Sequence, residues 1–234
     1  MNILRVMSPL EGWHVFDAAK SERRPGVLVV HQWKGLGDYE KKRARMLAEL
    51  GYNVFAVDIY GKGVRPANMQ EAGAQAGKYK GNRPLLRERV LAGLQVLKSE
   101  LHTDPTRIAA IGYCFGGTTV LELARSGADI NGVVSFHGGL SSPSPEAAKS
   151  IKAHVLALHG ADDPHVGPDE VKAFQDEMRS AKVDWQLVAY GNAVHSFTDV
   201  AAGNDNSKGA AYNKEADLRS WSAMKDFFNE IFAK

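Results

Sequence analysis

Short apolar segments of similar length recur along this 234-residue chain, and they constrain the fold more than any other feature. Turn residues or charges bound each segment, which is typical of strands buried on both faces of a parallel sheet. Segments with apolar residues at helical spacing lie between them. The alternation predicts an α/β fold, a mostly parallel twisted sheet with helices on both faces. The strand segments are residues 27–31, 53–58, 107–111, 132–136 and 154–159, and the helical segments are 39–50, 85–101 and 169–180.

The remaining segments complete this pattern at both ends of the chain. Residues 184–190 predict a last strand and 217–233 a terminal amphipathic helix, while 13–17 favour an antiparallel edge strand. Residues 61–84 are rich in glycine and alanine, and residues 200–213 are small and polar, so we predict two long loops over the strand ends. The whole chain, residues 1–234, has the length of a single α/β domain.

Composition excludes several classes of protein. A net charge of +2 is too small to favour nucleic acid as a partner, and no stretch is apolar enough to span a membrane. Arg5 and Pro9 interrupt the apolar N-terminal segment that a signal peptide needs, so we expect a cytoplasmic protein, a monomer or small homo-oligomer. One cysteine forms no intramolecular disulfide and no Cys/His zinc cluster, and we expect no metal or cofactor.

The single cysteine, Cys114, lies in the sequence Gly-Tyr-Cys-Phe-Gly-Gly of residues 112–117. A predicted strand precedes it and a predicted buried helix follows it, which is the pattern of a nucleophile elbow. Such a turn is strained and crowded, and it needs glycine where Gly112 and Gly116 stand. The thiol would lie at a helix N-terminus, where backbone amides favour a thiolate. A lone buried cysteine can also be purely structural, but the flanking glycines favour a nucleophile.

Two later strand ends offer the partners that a nucleophilic thiol requires, a base and a group that orients the base. Asp162 and Asp163 follow the segment 154–159, and His195 follows the segment 184–190. Each of these residues alone is more often structural, because aspartates near turns commonly cap helices. Together they give the order nucleophile, acid, histidine, which is typical of the α/β-hydrolase fold.

With these motifs in place, the chain resembles the dienelactone hydrolase family of the α/β-hydrolase fold over nearly its whole length. The resemblance implies a cysteine-dependent hydrolase of small carboxylic esters or lactones that works without a cofactor. It selects Asp163 over Asp162, because Gly160 to Val166 matches the spacing Gly-x-x-Asp-x-x-Val. The implied residues are Cys114, Asp163 and His195 for catalysis, the backbone amides of Trp33 and Phe115 for the oxyanion hole, and Gln32 and Phe197 for substrate binding.

Two residues depart from the family pattern. Members that cleave dienelactone carry a glutamate at the position of Gln32, where it contacts the resting cysteine, and an arginine at the position of Asp199. An amide carries no negative charge, so we expect His195 to hold the thiol instead. Asp199 would repel a substrate carboxylate, which predicts poor activity on dienelactone itself. Basic residues that could replace the arginine are Lys62, Arg65, Lys78, Lys80 and Arg83.

Three other functions fit parts of the sequence. A cysteine-dependent amidotransferase also carries its nucleophile on a strand-to-helix turn, but the glutamate that such enzymes place near the histidine is missing around His195. A non-catalytic binding module could keep the hydrolase fold after losing its chemistry. Nucleotide binding through Gly35 and Gly37 is weakly supported, because the third glycine of that motif is absent and Glu40 would face a phosphate.

Overall fold

Seven strands form one sheet in the computed structural model, which describes residues 10–19 and 21–233. Their order across the sheet is β1-β3-β2-β4-β5-β6-β7, with β1 antiparallel to β3 and every other neighbouring pair parallel. The mostly parallel α/β fold and the antiparallel edge strand are therefore confirmed. The strands are β1 (Gly12–Val15), β2 (Arg24–Val30), β3 (Asn53–Val57), β4 (Thr103–Tyr113), β5 (Gly132–Phe136), β6 (His154–Gly160) and β7 (Trp185–Tyr190).

Helices cover both faces of this sheet, which explains why the central strands are almost wholly apolar. Side chains of α1 and α6 pack on one face, and those of α2, α3, α4 and α5 pack on the other. Residues 27–30 of β2 are completely buried between the two layers. The helices are α1 (Asp38–Glu49), α2 (Met69–Lys80), α3 (Arg83–Ser99), α4 (Phe115–Arg125), α5 (Pro168–Ala181) and α6 (Lys214–Phe232).

The two segments predicted as long loops contain regular structure. Helix α2 occupies the middle of residues 61–84, so the prediction of a continuous loop there is wrong. Its glycines weaken the helical signal, yet Ala72, Ala76 and Tyr79 form a buried stripe at helical spacing, and the Asn68 side chain caps the first turn. Residues 200–213 contain two short 3-10 helices, Val200–Ala202 and Asn206–Lys208, each capped by an aspartate.

The order of the strands also determines where a site can form. The chain moves outwards from β2 to β3 and then returns to the other side of β2 as β4. A crevice opens at such a reversal, beyond the carboxyl ends of the parallel strands. The segments that follow β2, β4, β6 and β7 therefore meet at one edge of the sheet.

Residues 1–9, on which the signal-peptide argument depends, lie outside the described residues. Within the described part of the chain, no helix is long and apolar enough to cross a membrane.

Candidate active site

Cys114 occupies a sharp turn between β4 and α4. Its backbone has φ 55° and ψ −113°, a conformation that L-residues rarely adopt. A Cβ built on Gly112 would lie 2.0 Å from the carbonyl oxygen of Gly116, and one built on Gly116 would lie 2.3 Å from that of Val30. Both carbonyl oxygens belong to the backbone and cannot move aside as a side chain could, so only glycine fits at these two positions. The turn thus has the geometry of a nucleophile elbow.

The thiol faces a cavity of about 320 Å³ at the carboxyl edge of the sheet. Burial alone would raise the pKa of the Cys114 thiol. A hydrogen bond with His195 and the charge of His195 lower it by more, and the Phe115 N–H and Lys80 add to this effect. The pKa of Cys114 therefore lies below its usual value. The cavity is lined by Trp33, Ala76, Lys80, Cys114, Phe115, Gly139, His165, His195, Ser196 and Ala210.

Asp163 and His195 come together from the ends of β6 and β7. Since a carboxylate only accepts hydrogen bonds, His195 Nδ1–H donates to Asp163 Oδ2, at 2.8 Å. Burial opposes the charged imidazolium, but the hydrogen bonds and charges of Asp163 and Cys114 raise the pKa of His195 to about 10. The interaction between the two groups thus favours a thiolate beside an imidazolium. His195 thus binds Asp163 and lines the same cavity as Cys114, so the structure brings the three residues together.

The two neighbouring aspartates have different surroundings. The Asp163 side chain is completely buried, and its second oxygen, Oδ1, accepts the backbone N–H of His165 at 2.8 Å. Burial opposes its charge, but the His195 hydrogen bond and charge, with His165, keep its pKa below the usual value. Asp162 is exposed, and its backbone N–H donates to Ala193. Only Asp163 of this pair contacts the histidine.

Trp33 and Phe115, the residues expected to supply oxyanion-hole amides, both line the cavity of Cys114. The Phe115 N–H is directed at the Cys114 sulfur. Trp33 follows β2, and no hydrogen bond inside the described part of the chain uses its N–H. Two residues from different strand ends thus line the cavity of the thiol, and each carries a backbone N–H.

Gln32 and Phe197 do not lie against the thiol. Gln32 Nε2 donates to Asp199 Oδ2 at 3.0 Å, on the wall of a second cavity of about 410 Å³. Trp33 and Ser196 line both cavities, so the two are adjacent. Phe197 is completely buried, with its ring 5.5 Å from that of Tyr190, and lines neither cavity. The prediction that Phe197 contacts substrate is therefore corrected, because this ring belongs to the hydrophobic core.

The basic residues considered for substrate binding differ in which cavity they line and in the partners they contact. Only Lys80 lines the cavity of Cys114. Arg65 lines the second cavity but pairs with buried Asp58 at 2.7 Å and with Glu11 at 3.0 Å. Lys78 lies over the ring of Tyr79, and Arg83 lies 4.0 Å from Glu122; Lys62 is exposed and lines neither cavity.

The structure contains a buried polar cluster next to His195 that the sequence does not predict. His137 Nε2 and the Tyr39 hydroxyl both contact Thr198 Oγ1, at 2.8 and 2.6 Å, and Arg43 donates to the Thr198 carbonyl at 2.7 Å. These contacts anchor the loop that carries His195 to α1 and to the end of β5. The position of His137, directly after a strand, is the one sequence signal that could have pointed to this cluster.

The fold and this edge of the sheet define an α/β hydrolase. Comparison with known proteins refines the class. The sequence model of the dienelactone hydrolase family matches residues 12–232, and the chain belongs to that family.

Relatives of known structure resemble the chain over nearly its full length. The protein m3DLH is 39% identical, with a TM-score of 0.89, and the match covers 96% of this chain and 99% of that one. A dienelactone hydrolase-like promiscuous phosphotriesterase from metagenomic libraries is 40% identical, with a TM-score of 0.87 and the same two coverages. A protein of Saccharolobus solfataricus, provisionally named carboxymethylenebutenolidase, is 25% identical over 92% of this chain and 93% of its own length.

Proposed function

We propose that this protein hydrolyses small carboxylic esters or lactones through an acyl-enzyme on Cys114, with His195 as acid and base and Asp163 as the group that orients it. The observation that carries the proposal is the hydrogen bond from His195 to buried Asp163 at the wall of the cavity that Cys114 also lines. His195 lowers the pKa of Cys114, and a thiolate paired with an imidazolium needs no proton transfer before it attacks. Membership of a hydrolase family argues against the amidotransferase and the non-catalytic module.

The reaction follows from these roles in two stages. The Cys114 thiolate forms a bond to the carbonyl carbon, and the oxygen that becomes negative is stabilised by the N–H groups of Trp33 and Phe115. The C=O bond re-forms, the alkoxide leaves, and it takes the proton of His195. Water then gives a proton to His195 while its oxygen attacks the thioester, and expulsion of the thiolate releases the acid.

The second cavity supports a restriction on the substrate. The scissile bond lies in the cavity of Cys114, and the rest of the molecule extends past Trp33 towards Gln32 and Asp199. Asp38, Glu40 and Asp199 line that second space together with Lys34 and Arg65. Because Arg65 is already paired with Asp58 and Glu11, the acids outnumber the remaining base, and a substrate carboxylate there would be repelled. We therefore expect poor hydrolysis of dienelactone relative to neutral aryl esters and lactones.

Hydrolysis of neutral phosphotriesters is a second candidate activity, supported by the 40% identity to the promiscuous phosphotriesterase. Attack of a thiolate on phosphorus also builds negative charge on a single oxygen, and the same two backbone donors would stabilise it. A p-nitrophenyl dialkyl phosphate tests this activity, since release of nitrophenol is read by absorbance.

The direct test of the proposed function is hydrolysis of p-nitrophenyl acetate by the wild type and by Cys114→Ala. We expect the variant to lose nearly all activity and the wild type to gain the mass of one acetyl group on Cys114 in rapidly quenched samples. Ser99→Ala, at the exposed end of α3, is the control and should match the wild type. Equal rates for wild type and Cys114→Ala would overturn the proposal.

A further inference from the structure

His31 directly follows β2 and its side chain is completely buried. Its Nε2 accepts the backbone N–H of Ile59 at 3.1 Å, so this nitrogen carries no hydrogen. Burial lowers the pKa of His31 to about 4, and the ring is neutral at neutral pH. The hydrogen is therefore on Nδ1, which donates to the carbonyl oxygen of Gln32 at 2.5 Å.

This hydrogen bond determines the direction of the neighbouring amide. The Gln32 carbonyl and the Trp33 N–H belong to one planar trans peptide group and point in opposite directions. The same carbonyl also accepts the N–H of Gly35 at 3.2 Å. With the carbonyl held on one side by two donors, the Trp33 N–H is directed to the other side of the loop.

The same histidine also contacts the second donor residue. The rings of His31 and Phe115 are stacked, with centroids 5.5 Å apart and planes 19° apart. The Phe115 N–H points to the Cys114 sulfur. One buried ring thus touches both segments that border the thiol, one after β2 and one after β4.

We propose that His31 is a positioning residue for the oxyanion hole, which holds the Trp33 N–H through the Gln32 carbonyl and packs against Phe115. The inference rests on the proposed function, because an oxyanion forms only if Cys114 attacks an acyl or phosphoryl group. His31 itself does not touch the substrate. Without its Nδ1–H, only the longer bond from the Gly35 N–H holds the Gln32 carbonyl, so the Gln32–Trp33 peptide is held less firmly and one of the two donors is misplaced.

Three variants test this role. His31→Leu keeps an apolar side chain and removes the donor, whereas His31→Asn keeps an N–H group near the position of Nδ1. His102→Leu makes the same change in a histidine just before β4, at the opposite edge of the sheet. For each variant we measure kcat and KM with p-nitrophenyl acetate and the rate at which iodoacetamide alkylates Cys114, a reaction that forms no oxyanion.

Loss of one oxyanion donor costs roughly 100-fold in kcat, so we expect a loss of that order in His31→Leu with little change in KM. Alkylation should stay near the wild-type rate, His31→Asn should recover at least tenfold in kcat, and His102→Leu should resemble the wild type. Wild-type kcat in His31→Leu, a parallel loss of alkylation, or no recovery by asparagine would each overturn the inference. Equal hydrolysis by wild type and Cys114→Ala would instead refute the proposed function, so the two failures are distinguishable.

Discussion

The substitution Asp163→Asn leaves the side chain at this position nearly unchanged in shape and alters its charge and its hydrogen bonding. In the wild type both carboxylate oxygens accept an N–H group, Oδ2 from His195 and Oδ1 from the backbone of His165, each at 2.8 Å. An amide offers one acceptor oxygen and one NH₂ group. Whichever way the asparagine turns, one of these two donors faces another donor.

The expected cost follows from these contacts. A hydrogen bond to a charged group contributes about 1.5–3 kcal/mol, and a buried donor left without an acceptor costs about 1–3 kcal/mol more. A loss of about 3–5 kcal/mol corresponds to roughly 10²- to 10⁴-fold in rate. Part of this loss comes through the nucleophile, because removing the Asp163 charge lowers the pKa of His195 from about 10 and weakens the imidazolium that stabilises the thiolate.

The assay is kcat/KM for p-nitrophenyl acetate at pH 7 in Asp163→Asn and in Asp162→Asn. The second variant is the matched control, because Asp162 is exposed and adjacent in sequence. We expect the control to stay within about twofold of the wild type, as is usual for surface substitutions. A wild-type rate in Asp163→Asn, or a larger loss in Asp162→Asn, would refute the assignment of Asp163 as the orienting acid.

Three further predictions concern the thiol and its cavity. His195→Ala should move the pH midpoint of thiol alkylation upwards, because burial raises the pKa of Cys114 and the hydrogen bond and charge of His195 that lower it are then absent. Gly116→Ala should lower the thermal midpoint by several degrees, since its Cβ would lie 2.3 Å from backbone, whereas Gly73→Ala, with nothing within 4 Å, should be neutral or stabilising. Lys80→Met should reduce the ratio of iodoacetate to iodoacetamide alkylation rates severalfold, and Lys78→Met, outside the cavity, should leave that ratio unchanged.

The sheet could be predicted from sequence because strands buried on both faces leave continuous apolar runs, as in residues 27–30. Helix α2 is not predicted because Gly73 and Gly77 weaken the local helical signal. The helix is stabilised instead by packing its buried stripe against the rest of the protein, which the local sequence does not show. The sequence interpretation also fails at Phe197. The resemblance implies that Phe197, two residues after His195, binds substrate, but its ring is completely buried in the core.

Contacts between distant segments lay beyond what the sequence could predict. No local pattern shows that Arg43 reaches the loop after His195, or that His31 holds the peptide of Trp33. Such contacts depend on the order of strands in the sheet, which brings the ends of β2, β4 and β7 together. Residue types at strand ends suggest which groups react, whereas the residues that orient them are found only from the packing.

The two residues that depart from the family pattern, Gln32 and Asp199, bind each other in the folded protein. Gln32 binds two carboxylates, because its backbone N–H donates to Glu40 and its side-chain amide donates to Asp199. Burial raises the pKa of Glu40, and the nearby Asp199 charge raises it further. A glutamate at position 32 would place a third carboxylate against these two, so an amide donor is the side chain that this arrangement stabilises. An amide engaged with Asp199 is not available to the thiol, and the charge state of Cys114 therefore depends on His195.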